Sequence, residues 1–392
     1  MAVRRNVSVL SAGNTIVTSA NSMWIMFMPY FFADVGFDTF QIGLFFTIFA
    51  VVRALASLAG GNLSDKKGRK PIISLGFAIY ASGPLIILSS LWYAASSSFL
   101  MGVIAIVGYA WMMFGSGFAR PASSMLLIES SPEKRRGLSY MLATRVLPSI
   151  PPAILILVGT VLYANNQFWF GLVLGFMGLF VVLLLYIITL RETFAGTEQD
   201  QSPPSASGRG LSYDWFLILL VFAFALDGIS SSGLSWYVPL FLGRSELELY
   251  GLMISISTLV IAFSAFVSGG LVDRIGSVAA IAGGWSFLAL TVTVFPFASS
   301  SLEVLFFYSI WAGLDMVDIS VPPIVIAQRY TKEKRTSILG AFNTTVSLAS
   351  MAGPAIISYA LLLGSAVPFF VKALMNLGGV VIFILASRNG KS

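Results

Sequence analysis

The sequence predicts an all-α membrane protein: twelve transmembrane helices in two pseudo-symmetric six-helix bundles. Three observations carry this. Of 392 residues, 57% are hydrophobic and only 10% charged, against roughly 25% charged in a soluble domain. Twelve apolar stretches each reach the ~20 residues needed to cross hydrocarbon. The two halves of the chain echo each other. The same composition excludes whole classes of chemistry. His and Cys are both absent, which removes His- or Cys-ligated metal sites, thiol chemistry, His-held haem and Ser-His-Asp triads. No cofactor and no metal is expected, and no disulfide forms.

The stretches fall at 8–33, 40–60, 71–92, 98–128, 138–163, 168–190, 213–242, 248–271, 278–299, 302–328, 337–363 and 366–387. Arg4-Arg5 before the first stretch resembles the start of a signal peptide. The stretch is too long for that, and more follow, so it reads as the first span. Residues 191–212 are polar and rich in Ser, Pro and Gly, the composition of a flexible linker. The expected domains are an N-terminal six-helix bundle (1–190), a cytoplasmic linker (191–212) and a C-terminal six-helix bundle (213–392).

Net charge is +6, and its placement is the signal. With the N-terminus inside, 18 of the 23 Lys and Arg residues fall on the inner side. One, Arg244, falls outside, and Arg53, Arg120, Arg145 and Lys372 lie within spans. Short basic inner loops are what the positive-inside rule requires. Both termini are expected in the cytoplasm and the chain in the cell membrane, in contact with membrane lipids. No nucleic-acid partner is expected.

The repeat is specific. Gly61, Asp65, Lys66 and Gly68 align with Gly269, Asp273, Arg274 and Gly276 at an offset of 208. Glu133-Lys134-Arg135 matches Glu333-Lys334-Arg335 at 200, and Pro29 and Phe31 match Pro239 and Phe241 at 210. Three matches in the same order imply a duplicated six-helix unit, an arrangement that places a site between two halves.

Gly61-x-x-x-Asp65-Lys66-x-Gly68-Arg69-Lys70 resembles the signature loop of the major facilitator superfamily, and the 132–137 run (PEKRRG) is similar to the family too. The resemblance spans the chain and implies a secondary transporter working by alternating access, nearest to the drug and sugar efflux branch. In the loop, Gly61 suits close approach of a neighbouring helix. Asp65 is implied to accept hydrogen bonds from the N-terminus of the eleventh span. Arg69 can pair with Glu129. At the equivalent positions of the second half, Ser277 and Arg329, both partners are changed together. Gly61, Asp65, Lys66, Gly68, Arg69, Glu129, Gly269, Asp273 and Arg274 are therefore expected to form a conformational latch; the alternative is an ordinary solvated turn.

Seven charges lie inside spans, each at a cost of at least ~2.5 kcal/mol near the centre of the bilayer. Asp227 is halfway along the seventh span beside Gly228. Asp315 and Asp318, at i,i+3, share one face of the tenth, ahead of Pro322-Pro323, where a kink is expected. Two adjacent carboxylates in low dielectric do not both ionise cheaply, so the pair can hold a proton. These three acids are expected to handle protons. Arg53, Arg120 and Arg145 are expected to serve substrate charge or gating. Arg120 resembles an arginine of drug:proton antiporters in helix and type. The Gly-rich stretch those antiporters carry in the fifth span is absent, and Pro148 to Pro152 stands there instead. Lys372, ~6 residues into the last span, is expected to snorkel outward. Four bases and three acids suit an anionic or zwitterionic solute, and suit mutual ion pairing equally well. Asn21, Trp236, Trp311 and Asn343 are candidate substrate contacts, with Asn14 and Trp24 behind them.

The expected function is proton-coupled secondary transport of a small organic solute by a monomer. No nucleotide-binding loop is present. Uniport or amphiphile translocation without proton coupling is the alternative. A membrane enzyme or scramblase, or a passive channel, fits the residues less well.

Overall fold

A computed structural model of the chain describes residues 2–130, 142–192, 214–330 and 332–389, apart from some side chains within the helices. No strand occurs among them. The first span consists of α1 (Ala2–Ser22) and α2 (Met28–Val35), broken by a tight turn at 23–27. α3 (Thr39–Lys67), α4 (Arg69–Ser90) and α5 (Ser98–Glu129) follow. α6 (Ile150–Ala164) and α7 (Phe168–Thr189) complete the N-terminal half. The C-terminal half holds α8 (Trp215–Leu242), α9 (Leu247–Ile275) and α10 (Ser277–Val294). Then come α11 (Ser301–Leu314), α12 (Val317–Arg329), α13 (Lys332–Ser350), α14 (Gly353–Leu361) and α15 (Val367–Asn389). Side-chain caps start several of them. Asp38 accepts the Gln41 N–H at 2.8 Å to open α3, and Ser300 and Glu303 cap α11 reciprocally.

Among the described residues, ten stretches are long and apolar enough to cross a bilayer. The expected first and tenth spans fall outside that ten. α1 is interspersed with Asn6, Ser11, Asn14, Thr15 and Thr18. The tenth is divided between α11 and α12, and its break is not at Pro322-Pro323, which sit inside α12. It falls at Asp315-Met316, where the Met316 N–H turns back to the Gly313 carbonyl at 3.2 Å. Gly313 is a weak helix former, and the Asp315 side chain is drawn into a polar cluster described below. The fifth span also departs from a continuous 138–163 helix. It passes through a wide π-turn (142–146) and a 3-10 turn (147–149) before α6. Pro148, Pro151 and Pro152 have no N–H to offer the carbonyls one turn back.

The packing repeats. In the N-terminal half α4 and α3 each lie on α5, α4 and α1 on α7, and α1 on α6. In the C-terminal half α10 and α9 lie on α11, α10 and α8 on α15, and α8 on α13 and α14. These are the same span-to-span pairings six spans later. The halves meet along two seams, α3 with α14 and α9 with α6, which exchange under the same relation. Each seam has a glycine against a hydroxyl. A Cβ on Gly43 would collide with Ser358 Oγ, and one on Gly251 with Thr160 Oγ1. Gly43 and Gly251 are again 208 residues apart.

We call the end bearing the chain termini proximal and the opposite end distal. In the described arrangement Gly61 does not make the close approach expected of it, since a Cβ there would have only Pro121 at 3.8 Å. Gly60 makes it instead, with its α-carbon against the Phe118 carbonyl of α5. Gly60→Ala should therefore cost about 1–3 kcal/mol through overpacking, read as a fall of several degrees in melting temperature. Gly61→Ala should leave the melting temperature in place.

Candidate functional site

A charged cluster sits in the interior of the C-terminal half. α8 supplies Asp227 and, one turn on, Ser231; α15 supplies Lys372 and, one turn on, Asn376; α11 supplies Trp311 and ends at Asp315. Lys372 Nζ donates to Ser231 Oγ at 2.6 Å and lies 3.4 Å from both Asp227 Oδ1 and Asp315 Oδ1. Asn376 Nδ2 donates to Asp227 Oδ1 at 2.7 Å, and Trp311 Nε1 to Asp315 Oδ2 at 3.1 Å. The ammonium stands 5.8 Å from the Trp311 ring centroid. The Lys372 side chain is 0% exposed, Asp227 10% and Asp315 25%. Asp315 is thus the more exposed of the two acids.

Lys372 does not snorkel. Its position near the start of α15 suggested that it would, but α15 packs along α8 and two carboxylates lie within reach. For an ammonium in a dry interior they are better partners than a distant surface. Asp315 in turn takes Lys372 as its base. Among the described side chains, one base between two acids leaves the cluster one negative charge in excess when both acids are ionised. The arrangement can exchange a proton or hold a cationic group.

The N-terminal half carries the opposite charge. Asn21 Nδ2 donates to the Tyr80 hydroxyl at 2.7 Å, and its Oδ1 is buried without a partner. Arg53 on α3 lies within electrostatic range of Tyr80, Tyr109 and Arg120. Gly117 of α5 packs on the Arg53 backbone, so Arg120 is one turn further along the neighbouring helix. Both arginines turn inward. At about 100° per residue, Arg120 lies about 140° round α5 from the exposed apolar stripe, which runs through Leu100, Val103, Val107, Trp111 and Met125. Arg53 stands opposite the stripe of Ile48, Val51, Leu55 and Leu58 on α3. Arg120 is nonetheless exposed and Arg53 half-buried, as expected for side chains lining an internal space.

At the proximal end, Arg69 Nη2 meets Glu129 Oε1 at 3.4 Å and its Nη1 donates to Ser64 Oγ at 3.1 Å. Glu192 accepts the Arg69 and Lys70 backbone N–H groups at 3.1 and 2.9 Å, capping α4. Gly68, at φ 93°, makes the turn. In the second half Arg329 Nε lies 3.6 Å from Asp214 Oδ2, and Tyr330 donates to Asp214 at 2.8 Å. Burial, then the Asp214 carboxylate, pushes the Tyr330 phenol above its ordinary range. Lys66 and Arg274 are exposed. The side chains of Asp65, Arg145, Asp273 and Asp318, with Gly269, lie outside the described set, as do residues 131–141.

At the distal end, Arg244 pairs with Asp34, which also accepts the Tyr163 hydroxyl at 2.6 Å. Tyr30 donates to the Gly243 carbonyl at 3.2 Å. Trp236 is buried, stacked on Phe46 of the other half at 6.1 Å, and its Nε1 has no partner. Asn343 is exposed on α13, Trp24 is buried, and Asn14 donates to the Ala143 carbonyl at 3.2 Å. Sequence reasoning missed Ser231, Asn376, Tyr80, Tyr109 and the Asp34–Arg244 pair. Two signals were present. Lys372 and Asn376 are i,i+4 polar residues in an apolar helix, and Asp34 and Arg244 are 210 apart, the offset of Pro29 and Pro239.

Lys372→Met would leave two buried acids without a base, a loss of about 3–5 kcal/mol. The expected result is a steep fall in melting temperature. Adding Asp227→Asn to that variant should recover part of it, a coupling that a double-mutant cycle measures.

The Major Facilitator Superfamily pattern matches residues 10–354 and 220–391. The multi-drug resistance efflux pump PmrA of Streptococcus pneumoniae is 25% identical over 288 residues, 69% of this chain and 68% of that protein. The multidrug resistance protein MdtL of Shigella flexneri is 24% identical over 202 residues, 51% of this chain and 48% of that one. Among solved structures, the inward open xylose transporter XylE from E. coli superposes with a TM-score of 0.72 at 13% identity, over 97% of this chain and 94% of that one. A bacterial homolog to the human lysosomal transporter Spinster, inward-facing and unoccupied, gives 0.70 at 14% identity, over 99% and 96%. Sequence pattern and fold agree over nearly the full length: the chain belongs to the Major Facilitator Superfamily, and is an integral membrane transporter of small molecules rather than an enzyme.

Proposed function

We propose that the chain is a proton-coupled secondary transporter that carries a small organic solute by alternating access between its two bundles. The observation that carries this reading is Lys372 held between Asp227 and Asp315 on three different helices. When a proton binds Asp315, the more exposed acid, Lys372 keeps Asp227 alone; when it leaves, Lys372 is shared again. Each protonation state favours a different distance between α11 and α8. The break at Asp315-Met316 gives the proximal part of that span room to follow. Trp311 and Ser231 hold the alternative geometries by hydrogen bonds.

The basic residues at the proximal end support a cytoplasmic location for both termini, in the plasma membrane. The Asp34–Arg244 pair and the Trp236–Phe46 stack join the bundles at the distal, outer side, which supports an inward-facing arrangement. The Arg69–Glu129 pair supports a latch role for the 61–69 loop, completed by Asp65 in the outward-facing state. The efflux pumps among the relatives support export of an organic solute. One observation favours a second reading, translocation of an amphiphile without proton coupling. A groove of about 660 Å³ between α9 and α11, lined by Val260, Leu302, Phe306 and Ile310, has almost wholly apolar walls.

In proteoliposomes, Asp227→Asn and Asp315→Asn should each abolish ΔpH-driven accumulation of a substrate found by ligand screening, while counterflow without a gradient persists. Full ΔpH-driven accumulation in both variants would sink the coupling role of these two acids, and movement of the substrate with no ΔpH-driven accumulation in the wild type would leave the second reading. Separately, Arg244→Ala should lengthen the distances between spin labels placed at distal ends of the two bundles. An unchanged distance distribution would mean that the pair does not hold the outer side closed.

A further inference from the structure

We propose that Arg53 and Arg120 form an anion subsite in the N-terminal bundle, which binds an acidic group, a carboxylate or a phosphate, of the transported solute. This rests on the transport reading and narrows its substrate to organic anions or zwitterions. Two cationic side chains stand on packed helices, one turn apart, inside a membrane protein. Arg53 lies about 20 Å and Arg120 about 13 Å along their helices from the proximal ends, and both turn away from the lipid-facing stripes. Neither makes an ion pair in the described structure.

Among the described side chains, the acids that could neutralise them are engaged elsewhere. Asp34 pairs with Arg244, Glu129 with Arg69 and Asp315 with Lys372. Asp38 and Glu192 cap helices. Two like charges at this depth repel each other and cost more than one alone. A transported anion removes both penalties while it is bound. The surrounding groups suit such a ligand. Guanidinium groups offer paired N–H donors to carboxylate and phosphate oxygens. The phenols of Tyr80 and Tyr109 supply aromatic walls beside them. Asn21 Oδ1, buried and unpartnered next to Tyr80, remains for a hydroxyl or amide donor on the solute. Charge balance agrees: the four bases and three acids that the sequence places within the spans total +1, which one carboxylate neutralises.

The test is equilibrium binding to the purified full chain in uncharged detergent, with no gradient, read by thermal shift and tryptophan fluorescence. The probes are benzoate, phenyl phosphate and dodecyl phosphate, each set against its neutral counterpart: benzamide, phenol and dodecanol. The expected result is binding of at least one anion with its neutral counterpart at least tenfold weaker. Arg53→Gln and Arg120→Gln should each lose at least tenfold in affinity for that anion, and Arg→Lys should restore part of it. Both variants remove a charge from the interior, so their unliganded melting temperatures should not fall, which separates lost binding from lost folding. Binding of dodecyl phosphate but not phenyl phosphate assigns the site to a lipid-like headgroup; binding of the small anions assigns it to a soluble acid. Anions and neutral counterparts binding alike, or unaltered affinity in both Gln variants, would overturn the subsite. Binding here does not depend on proton coupling. Loss of ΔpH dependence with no arginine-dependent binding refutes this inference alone; arginine-dependent binding with the aspartates dispensable refutes the coupling alone.

Discussion

An ammonium group shut away from water must find carboxylate oxygens, and Lys372 finds two on different helices. The rest of the C-terminal bundle is arranged around that need. α15 packs along α8 so that Lys372 and Asn376 both face Asp227, and α11 ends where Asp315 can turn toward the same nitrogen. A single Lys–Asp pair would be neutral and static. The second carboxylate makes the cluster responsive, because it leaves one more negative group than the base can satisfy. Breaking a buried pair costs several kcal/mol, so under the proposed coupling a proton arriving at either acid would change which helix contacts are favoured.

The scaffold makes such small shifts effective. Both seams between the bundles set a glycine against a hydroxyl, Gly43 with Ser358 and Gly251 with Thr160. In membranes, where hydrophobic burial does not hold helices together, such close backbone contact does. The proximal ends are knit within each half by different chemistry at equivalent places. Asn6 donates to Ser130 in the first half, and Tyr330 donates to Asp214 in the second. These contacts tie each half together at its proximal end, with a charged cluster inside one bundle and two inward-turned arginines in the other.

Much of this was legible in the sequence. Hydropathy and loop charge gave the order of spans, and the repeat gave the pairing of halves. The cost of charge in hydrocarbon picked out Asp227 and Asp315. The Arg69–Glu129 contact was readable because its two partners change together in the second half. What could not be read was tertiary. Counting residues from the end of a helix places Lys372 near the surface; only the packing of α15 on α8 turns it inward. Proline content marked Pro322-Pro323 as the break in the tenth span, but the pull of Lys372 and Trp311 on Asp315 put it at 315–316. Gly61 was singled out because it opens a motif, whereas the tight helix contact depends on Gly60 beside it. The ten spans found by length and hydropathy among the described residues fall short of twelve for the same reason: α1 is too polar, and the tenth span is cut at Asp315.

That a proton resides on the Asp227–Asp315 pair is best tested by infrared difference spectroscopy of the purified protein across a pH titration. The expected result is a protonated-carboxyl C=O band that grows as pH falls and is lost or shifted in Asp315→Asn, with Asp227→Asn altering its midpoint. The same band, with the same midpoint, in wild type and both variants would place the proton elsewhere and contradict the role given to Lys372 and its two acids.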